Sequence, residues 1–459
     1  MQQNIDHIFR TYDIRGIYGQ DLNEEIMENI GTAFAYVINN DIIVSRDVRL
    51  SSESLKEAFV RGFTKSGFNV EDVGMLPLGT AGFYTWKSKK PLAYITASHL
   101  EKEWNGVKFF DEKGIGLFEE TMEKIKEMFD RITEKSIKVV DQNGSTVARE
   151  SKEITVDYIS HFLNKIKPVK RMKIIIDCSN GAASTLAPTL FSEAGFEVIA
   201  VNSEPDGNFP NRSPPDPPND DLKTLSEKVI SEKAEFGIAY DGDGDRMVFV
   251  DDSGRKISAE QISYFIVSEL LKSVDGPIIE NVECTKLLDS LVDIFGQKII
   301  RVPVGHTYLM KAVHENNAAF GFEVTGHFSI PSLISIDDSL GISYYTACLL
   351  SGQDDRLSKI MSQVPVFPFG RVNMECDDRK KFEVIRNLQQ RFAREYENIN
   401  VMDGVRVDFA KGWILIRAAN TEPKIRLTIE AENEKEFNIL KDKFSKILED
   451  EIQANPMSK

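Results

Sequence analysis

The chain has 459 residues, 41% hydrophobic and 28% charged, the make-up of an ordinary folded protein long enough for three or four domains. Its formal net charge of −16 excludes broad nucleic-acid binding, because polyanions are repelled at long range, yet allows a small anion held by a few local cations. No run is long and apolar enough to span a membrane and residues 1–10 carry no apolar leader, so a cytoplasmic protein with no membrane partner is expected. The four cysteines, Cys178, Cys284, Cys348 and Cys376, lie far apart without metal or redox spacing and read as reduced core residues.

One pattern recurs three times along the chain: a short β-rich run, an amphipathic helix, a glycine-aromatic break and a second strand. Its first copy is Ile42-Ile43-Val44, a helix near residues 54–65, Gly67-Phe68 and then Val70. The second starts at Lys173-Ile174-Ile175-Ile176 and resumes at Val198–Val201 after a helix through Ala194. The third starts at Pro277-Ile278-Ile279 and ends in a strand over 298–302. Each copy is a βαβ unit, which predicts a parallel or mixed sheet. After the Pro-rich hinge Val364–Pro368 the pattern changes. Strands at 371–375, 401–409, 413–417 and 425–431, flanked by a charged helix to about 395 and a last helix capped by Asn433, predict an α+β domain with an antiparallel sheet. The expected architecture is therefore α/β: three related mixed-sheet domains over 1–147, 148–254 and 255–364, and a C-terminal α+β domain over 365–459. The stretch Pro205–Asp221, crowded with Pro, Asn and Asp, reads as an irregular surface loop.

Chemistry concentrates in six polar islands. The most specific is Asp241-Gly242-Asp243-Gly244-Asp245-Arg246, set between the apolar runs Phe236–Tyr240 and Met247–Val250. Three carboxylates at alternate positions repel unless a cation sits among them, and hard oxygen ligands suit Mg²⁺ or Ca²⁺. An EF-hand is rejected, because position six is Arg246, position twelve is Asp252 and the flanks read as strands. The fused arginine suggests that an anion arrives with the metal, guanidinium being a good grip for phosphate. The bland alternative is an acidic solvated turn.

Thr96-Ala97-Ser98-His99 follows the apolar run Leu92–Ile95, which puts Ser98 and His99 at a strand's end, where α/β proteins build their sites. No Gly-x-Ser-x-Gly elbow supports a hydrolase. Asn105-Gly106-Val107-Lys108 presents a lysine just after an expected turn, and Arg10–Gly16 supplies Arg10 and Arg15. Glu323, Thr325 and His327 form a set suited to adjacent sugar hydroxyls. Arg417, Asn420, Thr421 and Arg426 bracket a tight loop whose donors would make a phosphate cradle. For each, an ordinary polar turn is the competing reading.

Taken together, these islands resemble the α-D-phosphohexomutase family, the phosphoglucomutases and phosphomannomutases, over nearly the whole chain and in the family's order. Phe9–Gly16 resembles the N-terminal signature, Thr96–His99 the phosphoserine loop, Asp241–Arg246 the metal loop, Glu323–His327 the sugar loop and Arg417–Arg426 the phosphate loop. Val304-Gly305-His306 and Pro205–Pro210 are partial matches. The resemblance implies four domains around a central cleft. It also implies a phosphate carried on Ser98, and one Mg²⁺ held by Ser98, Asp241, Asp243 and Asp245. A sugar bisphosphate then serves as primer and intermediate between the 1-phosphate and 6-phosphate of a hexose, glucose or mannose. Arg246 would add charge, and Lys108, Arg15, His306 and His327 are the candidates for proton transfer. Departures are Leu100-Glu101 in place of Asn-Pro, Thr325 in place of serine, and Ala419 in place of a serine. One hydrogen bond lost to a charged group amounts to roughly 1.5–3 kcal/mol.

Two rival functions remain at this point. In a haloacid-dehalogenase-type phosphotransferase Asp241 would be the nucleophile, although a hydroxyl residue would then be expected at Asp245. The other is a sugar-phosphate binding protein without catalysis. Glucosamine and pentose phosphates are alternative substrates within the family.

Overall fold

Residues 5–137, 142–419 and 424–454 are described in the computed structural model. There are four sheets, and the apolar runs Leu92–Ile95, Phe236–Tyr240 and Met247–Val250 become inner strands of the first two, because a run buried on both faces has no solvent face to polarise. The first sheet is mixed, with strands Asp13–Ile17, Trp104–Phe110, Leu92–Ile95, Ile42–Arg46, Val70–Met75 and Thr146–Ala148 in spatial order. The last of these pairs with Val70–Asp72, so the first sheet extends across the 147/148 boundary expected above. The second sheet orders Lys256–Ile257, Met247–Asp251, Phe236–Tyr240, Lys173–Asp177 and Glu197–Val201. The third has four strands, centred on Ile278–Asn281 between Ile299–Val302 and Phe320–Phe322. The fourth is wholly antiparallel, as the C-terminal pattern predicted.

The expected βαβ units are present, with Ile42–Arg46 parallel to Val70–Met75, Lys173–Asp177 to Glu197–Val201, and Ile278–Asn281 to Ile299–Val302. One large apolar core joins the second and third sheets through the helix Ser339–Ser351, whose Leu340, Ile342, Tyr344 and Ala347 are fully buried. The helix is apolar on all sides because it has protein on all sides. All four cysteines are buried thiols. Among the described residues no helix is long and apolar enough to cross a membrane. Asn433 caps the last helix, accepting from the Glu436 amide at 3.1 Å.

Three expectations need correction. The single strand over 401–409 is two, Ile399–Asn400 and Val405–Phe409, separated by a turn that ends on Gly404 with φ +82°. Asn105–Lys108 is no turn but the start of the strand Trp104–Phe110. The stretch Pro205–Asp221 is irregular, apart from a short 3-10 turn at Pro217–Asn219, but it is not a surface loop throughout. Phe209 is fully buried, and Arg212 is buried in an ion pair with Asp177 at 2.7 Å.

Candidate active site

Three of the islands sit at the end of a strand: Ser98 after Leu92–Ile95, Asp241 after Phe236–Tyr240, Glu323 after Phe320–Phe322. Sheets from different domains point these ends at one another, so residues remote in sequence meet. Ser98 is buried, and its Oγ donates to Asp241 Oδ2 at 3.1 Å. His99 Nδ1 lies 3.4 Å from the same hydroxyl. The approach of the two loops needs a glycine: a Cβ on Gly242 would stand 2.6 Å from the Ser98 carbonyl oxygen.

Ser98 has φ +52°, a left-handed conformation that serine seldom adopts. A residue not singled out from sequence holds it there. Arg49, 1% exposed, donates from Nη2 to the carbonyls of Ser98 and Leu100, both at 2.8 Å. Its Nη1 reaches the carbonyls of Glu101 (2.6 Å) and Trp104 (3.0 Å), and its Nε pairs with buried Asp47 at 3.0 Å. All five donors of one guanidinium are spent on one loop and its counter-ion. Replacing Arg49 by Ala leaves buried Asp47 without its cation, though still hydrogen-bonded by Ser52 and Thr96, and takes a donor from each of four carbonyls. Urea denaturation should then show a loss of about 3–5 kcal/mol; a loss under about 1 kcal/mol would rule out the buttress.

The metal loop is buried throughout its three carboxylates, whose oxygens approach one another within 4.8 Å. Asp241 Oδ1 accepts from the amides of Gly244 (3.0 Å) and Arg246 (3.1 Å). Lys108 Nζ stands between Asp243 (3.1 Å) and Asp245 (2.6 Å), and Thr96 Oγ1 is 3.2 Å from Asp243. Asp243 Oδ1 and Asp245 Oδ1 are buried with no hydrogen-bond partner among the described residues. Burial, together with Asp245 and Asp243, pushes the Asp241 carboxyl well above its usual range. Burial acts upward on Asp245 too, but Lys108, His327 and Arg246 outweigh it and hold that carboxyl well below. Lys108 alone thus leaves the cluster under-neutralised. Two orphaned hard oxygens beside Ser98 fit a divalent ion of the Mg²⁺ or Ca²⁺ kind.

The loop's backbone is anchored on three sides. Leu78 N donates to Asp243 O at 2.9 Å, Ala182 N to Gly242 O at 2.9 Å, and Ser339 Oγ to Asp245 O at 2.6 Å. Arg246 Nε donates to His327 Nε2 at 3.2 Å, while His327 Nδ1 donates to Asp337 Oδ2 at 2.8 Å, which fixes the neutral tautomer. Burial lowers the His327 pKa, but Asp245 and Asp337 more than offset this and leave it raised. His306 stacks on His327 with ring centres 5.7 Å apart, and burial holds it well below the usual histidine range. Arg15 Nε pairs with Asp13 at 2.6 Å, on a strand whose Asp13 pairs directly with Lys108.

Glu323 is 3% exposed, and its Oε1 accepts from Asn281 Nδ2 (3.1 Å) and Gly305 N (2.8 Å). Its Oε2 is 3.3 Å from Thr325 Oγ1, so one carboxylate edge is tied down and the other stays beside a hydroxyl. A cavity of about 730 Å³ opens next to these residues, lined among others by Arg246, Thr325, Glu283, Arg417 and Arg426. Arg417 is clamped between Glu283 (3.1 Å) and Asp403 (3.3 Å). Asn420 and Thr421 lie outside the described residues. Sequence reasoning missed Asp47, Arg49, Glu283, Asp337 and Asp403, each of which acts by holding another side chain in place.

Comparison with known proteins agrees across the whole chain. The phosphoglucomutase/phosphomannomutase alpha/beta/alpha domains I, II and III match residues 6–136, 156–254 and 258–367, and the C-terminal domain matches 372–447. A probable phosphoglucosamine mutase of Methanopyrus kandleri is 32% identical, over 96% of this chain and 97% of that one. A phosphomannomutase/phosphoglucomutase of Pseudomonas putida is also 32% identical, over 96% of this chain and 95% of that one. Among solved structures, a phosphoglucomutase/phosphomannomutase family protein from Burkholderia thailandensis superposes with a TM-score of 0.87 at 27% identity, covering 97% of both chains.

Proposed function

Because the chain belongs to the phosphoglucomutase/phosphomannomutase family, whose members are isomerases, we propose that it interconverts hexose 1-phosphates and hexose 6-phosphates by way of a phosphorylated Ser98. The observation that carries this reading is the buried 3.1 Å contact between Ser98 Oγ and Asp241 Oδ2, which sets a hydroxyl against a cluster of under-neutralised carboxylates. The P–O bond to Ser98 Oγ breaks as a P–O bond to the sugar hydroxyl forms, and the hydroxyl's proton passes to a base. The resulting bisphosphate turns over and returns its other phosphoryl group to Ser98. Phosphoryl transfer of this kind depends on in-line positioning and charge neutralisation.

Asp241, Asp243 and Asp245, with Ser98, would hold Mg²⁺, which supplies Lewis-acid neutralisation of the transferring group. Lys108, kept protonated by burial-resistant pairing with Asp243 and Asp245, is suited to charge stabilisation rather than to taking a proton. His306 is a neutral imidazole with no hydrogen-bond partner among the described residues, which leaves its ring nitrogens open to a substrate hydroxyl, while the burial that keeps it neutral also makes it a weak base. His99 lies 3.4 Å from the hydroxyl of Ser98, and burial, with Arg246 and Arg15 nearby, holds its imidazole well below the usual histidine range. Glu323, Thr325 and His327 read the sugar, and Arg417 and Arg426 hold the remote phosphate.

Glucose and mannose phosphates are the first substrates to expect. Glucosamine phosphate is a second, favoured by Glu260 and Glu430 in the cavity lining, which suit an ammonium group, and by the name of the M. kandleri relative. A coupled assay over the 1-phosphates of glucose, mannose and glucosamine, with Mg²⁺ and the matching bisphosphate primer, should return kcat/KM above about 10⁴ M⁻¹s⁻¹ for at least one. Binding without conversion of any would establish a non-catalytic protein instead.

A further inference from the structure

The cavity's far wall is one face of the antiparallel C-terminal sheet. Strand register places Asn373, Arg426 and Arg417 in one cross-strand row, and Arg371, Thr428 and Leu415 in the next row on the same face. Arg371, Asn373, Arg417 and Arg426 all line the cavity. Arg371 belongs to none of the polar islands read from the sequence.

Glu283 joins the two strands' guanidiniums. Its Oε1 takes Arg417 Nη1 at 3.1 Å, and its Oε2 takes Arg371 Nη2 at 3.2 Å. The pair is asymmetric in exposure: the Glu283 side chain is 5% exposed, whereas that of Arg371 is 37% exposed. Arg417, itself 5% exposed, is shared between Glu283 and Asp403, so Arg371 is the second cation on Glu283 but is not fully engaged by it. Arg371 instead uses one nitrogen on the carboxylate, and Nε and Nη1 have no protein hydrogen-bond partner among the described residues. The guanidinium lies 5.8 Å from the centre of the Phe369 ring, which limits its rotamers before any ligand arrives. At this corner Arg371, Arg417 and Arg426 all line the cavity beside Glu283.

We propose that Arg371 is a substrate-binding residue that grips, with Arg417 and Arg426, the sugar phosphate remote from Ser98, and that Glu283 is the positioning residue presenting Arg371 and Arg417 together. The inference rests on the mutase reading above and adds a residue to it. A phosphate has more acceptor sites than Arg417 can fill while two carboxylates clamp it, and a planar fork with unused N–H groups fits the remainder.

Titration calorimetry of the full chain with glucose, mannose and glucosamine 6-phosphates, in Mg²⁺, tests it against the variants Arg371→Ala and Arg371→Lys. Arg371→Ala should weaken the 6-phosphate that binds best by about 10–100-fold, the loss of charge-assisted hydrogen bonds. Arg371→Lys should recover part of that loss, because charge returns without the fork. In turnover the effect should fall on KM, with kcat changed by no more than about threefold, since this phosphate is held alike in ground and transition states. Affinity of Arg371→Ala within about twofold of the wild type would overturn the inference while leaving the mutase intact. Wild-type protein that binds no 6-phosphate would overturn the mutase reading, and the inference with it.

Discussion

Ser98→Ala should lose turnover of every sugar phosphate by about 10⁴-fold or more while still folding and still binding sugar phosphate. The argument is geometric. Ser98 Oγ is the hydroxyl beside the carboxylate cluster, and removing one buried oxygen leaves the rest of its loop in place. The loop is held through backbone carbonyls by Arg49, and the amide of Ser98 donates to Thr96 Oγ1 at 2.8 Å; neither contact uses the serine side chain. The coupled assay measures the loss, and circular dichroism with calorimetry of 6-phosphate binding shows that it is chemical. Turnover near the wild-type rate would refute the assignment. Acid-stable label from a 1,6-bisphosphate on Ser98 would separate it from an acyl phosphate on Asp241, which hydroxylamine releases.

The second large effect concerns the ion. For the wild type, Mg²⁺ at about 100 times its dissociation constant should add about 2.7 kcal/mol of stability. Asp241→Asn should abolish that gain and cut turnover by at least about 10²-fold. The metal-free variant, however, should melt no lower than the metal-free wild type. An asparagine oxygen still accepts from the amides of Gly244 and Arg246, and one of three mutually repelling buried charges is gone. Melting curves with Mg²⁺ and with a chelator read both halves of the expectation. A variant that keeps the Mg²⁺-dependent rise and its activity would show that Asp241 is no ligand.

The clustering of Asp241, Asp243 and Asp245 was legible because aspartate at alternate positions has few other uses, and the flanking strands were plain apolar runs. The four-sheet architecture followed from period and spacing for the same reason. Arg49 was not legible. In Ser45-Arg46-Asp47-Val48-Arg49 it looks like surface charge, and only the four carbonyls arriving from residues 98–104 make it a core residue. Glu283 hid in the same way, since its partners lie 88 and 134 residues away. Lys108 was misplaced because Asn105-Gly106 has the chemistry of a turn. Its glycine answers to a different need, for a Cβ there would come within 1.9 Å of the Ile14 carbonyl on the neighbouring strand. Sequence reports why a residue type is allowed, but not which of several reasons applies.

The three backbone anchors of the metal loop have a thermodynamic corollary. Leu78, Ala182 and Ser339 come from elements in three successive domains, so the loop reaches its final shape only when those domains have assembled on it. Ion retention is then linked to quaternary-like docking within a single chain, and by reciprocity each strengthens the other by the same factor. A substitution far from the carboxylates that loosens one domain against the next would surface first as a weaker hold on Mg²⁺. A bound ion would be, in that sense, a gauge of whether the chain has finished assembling.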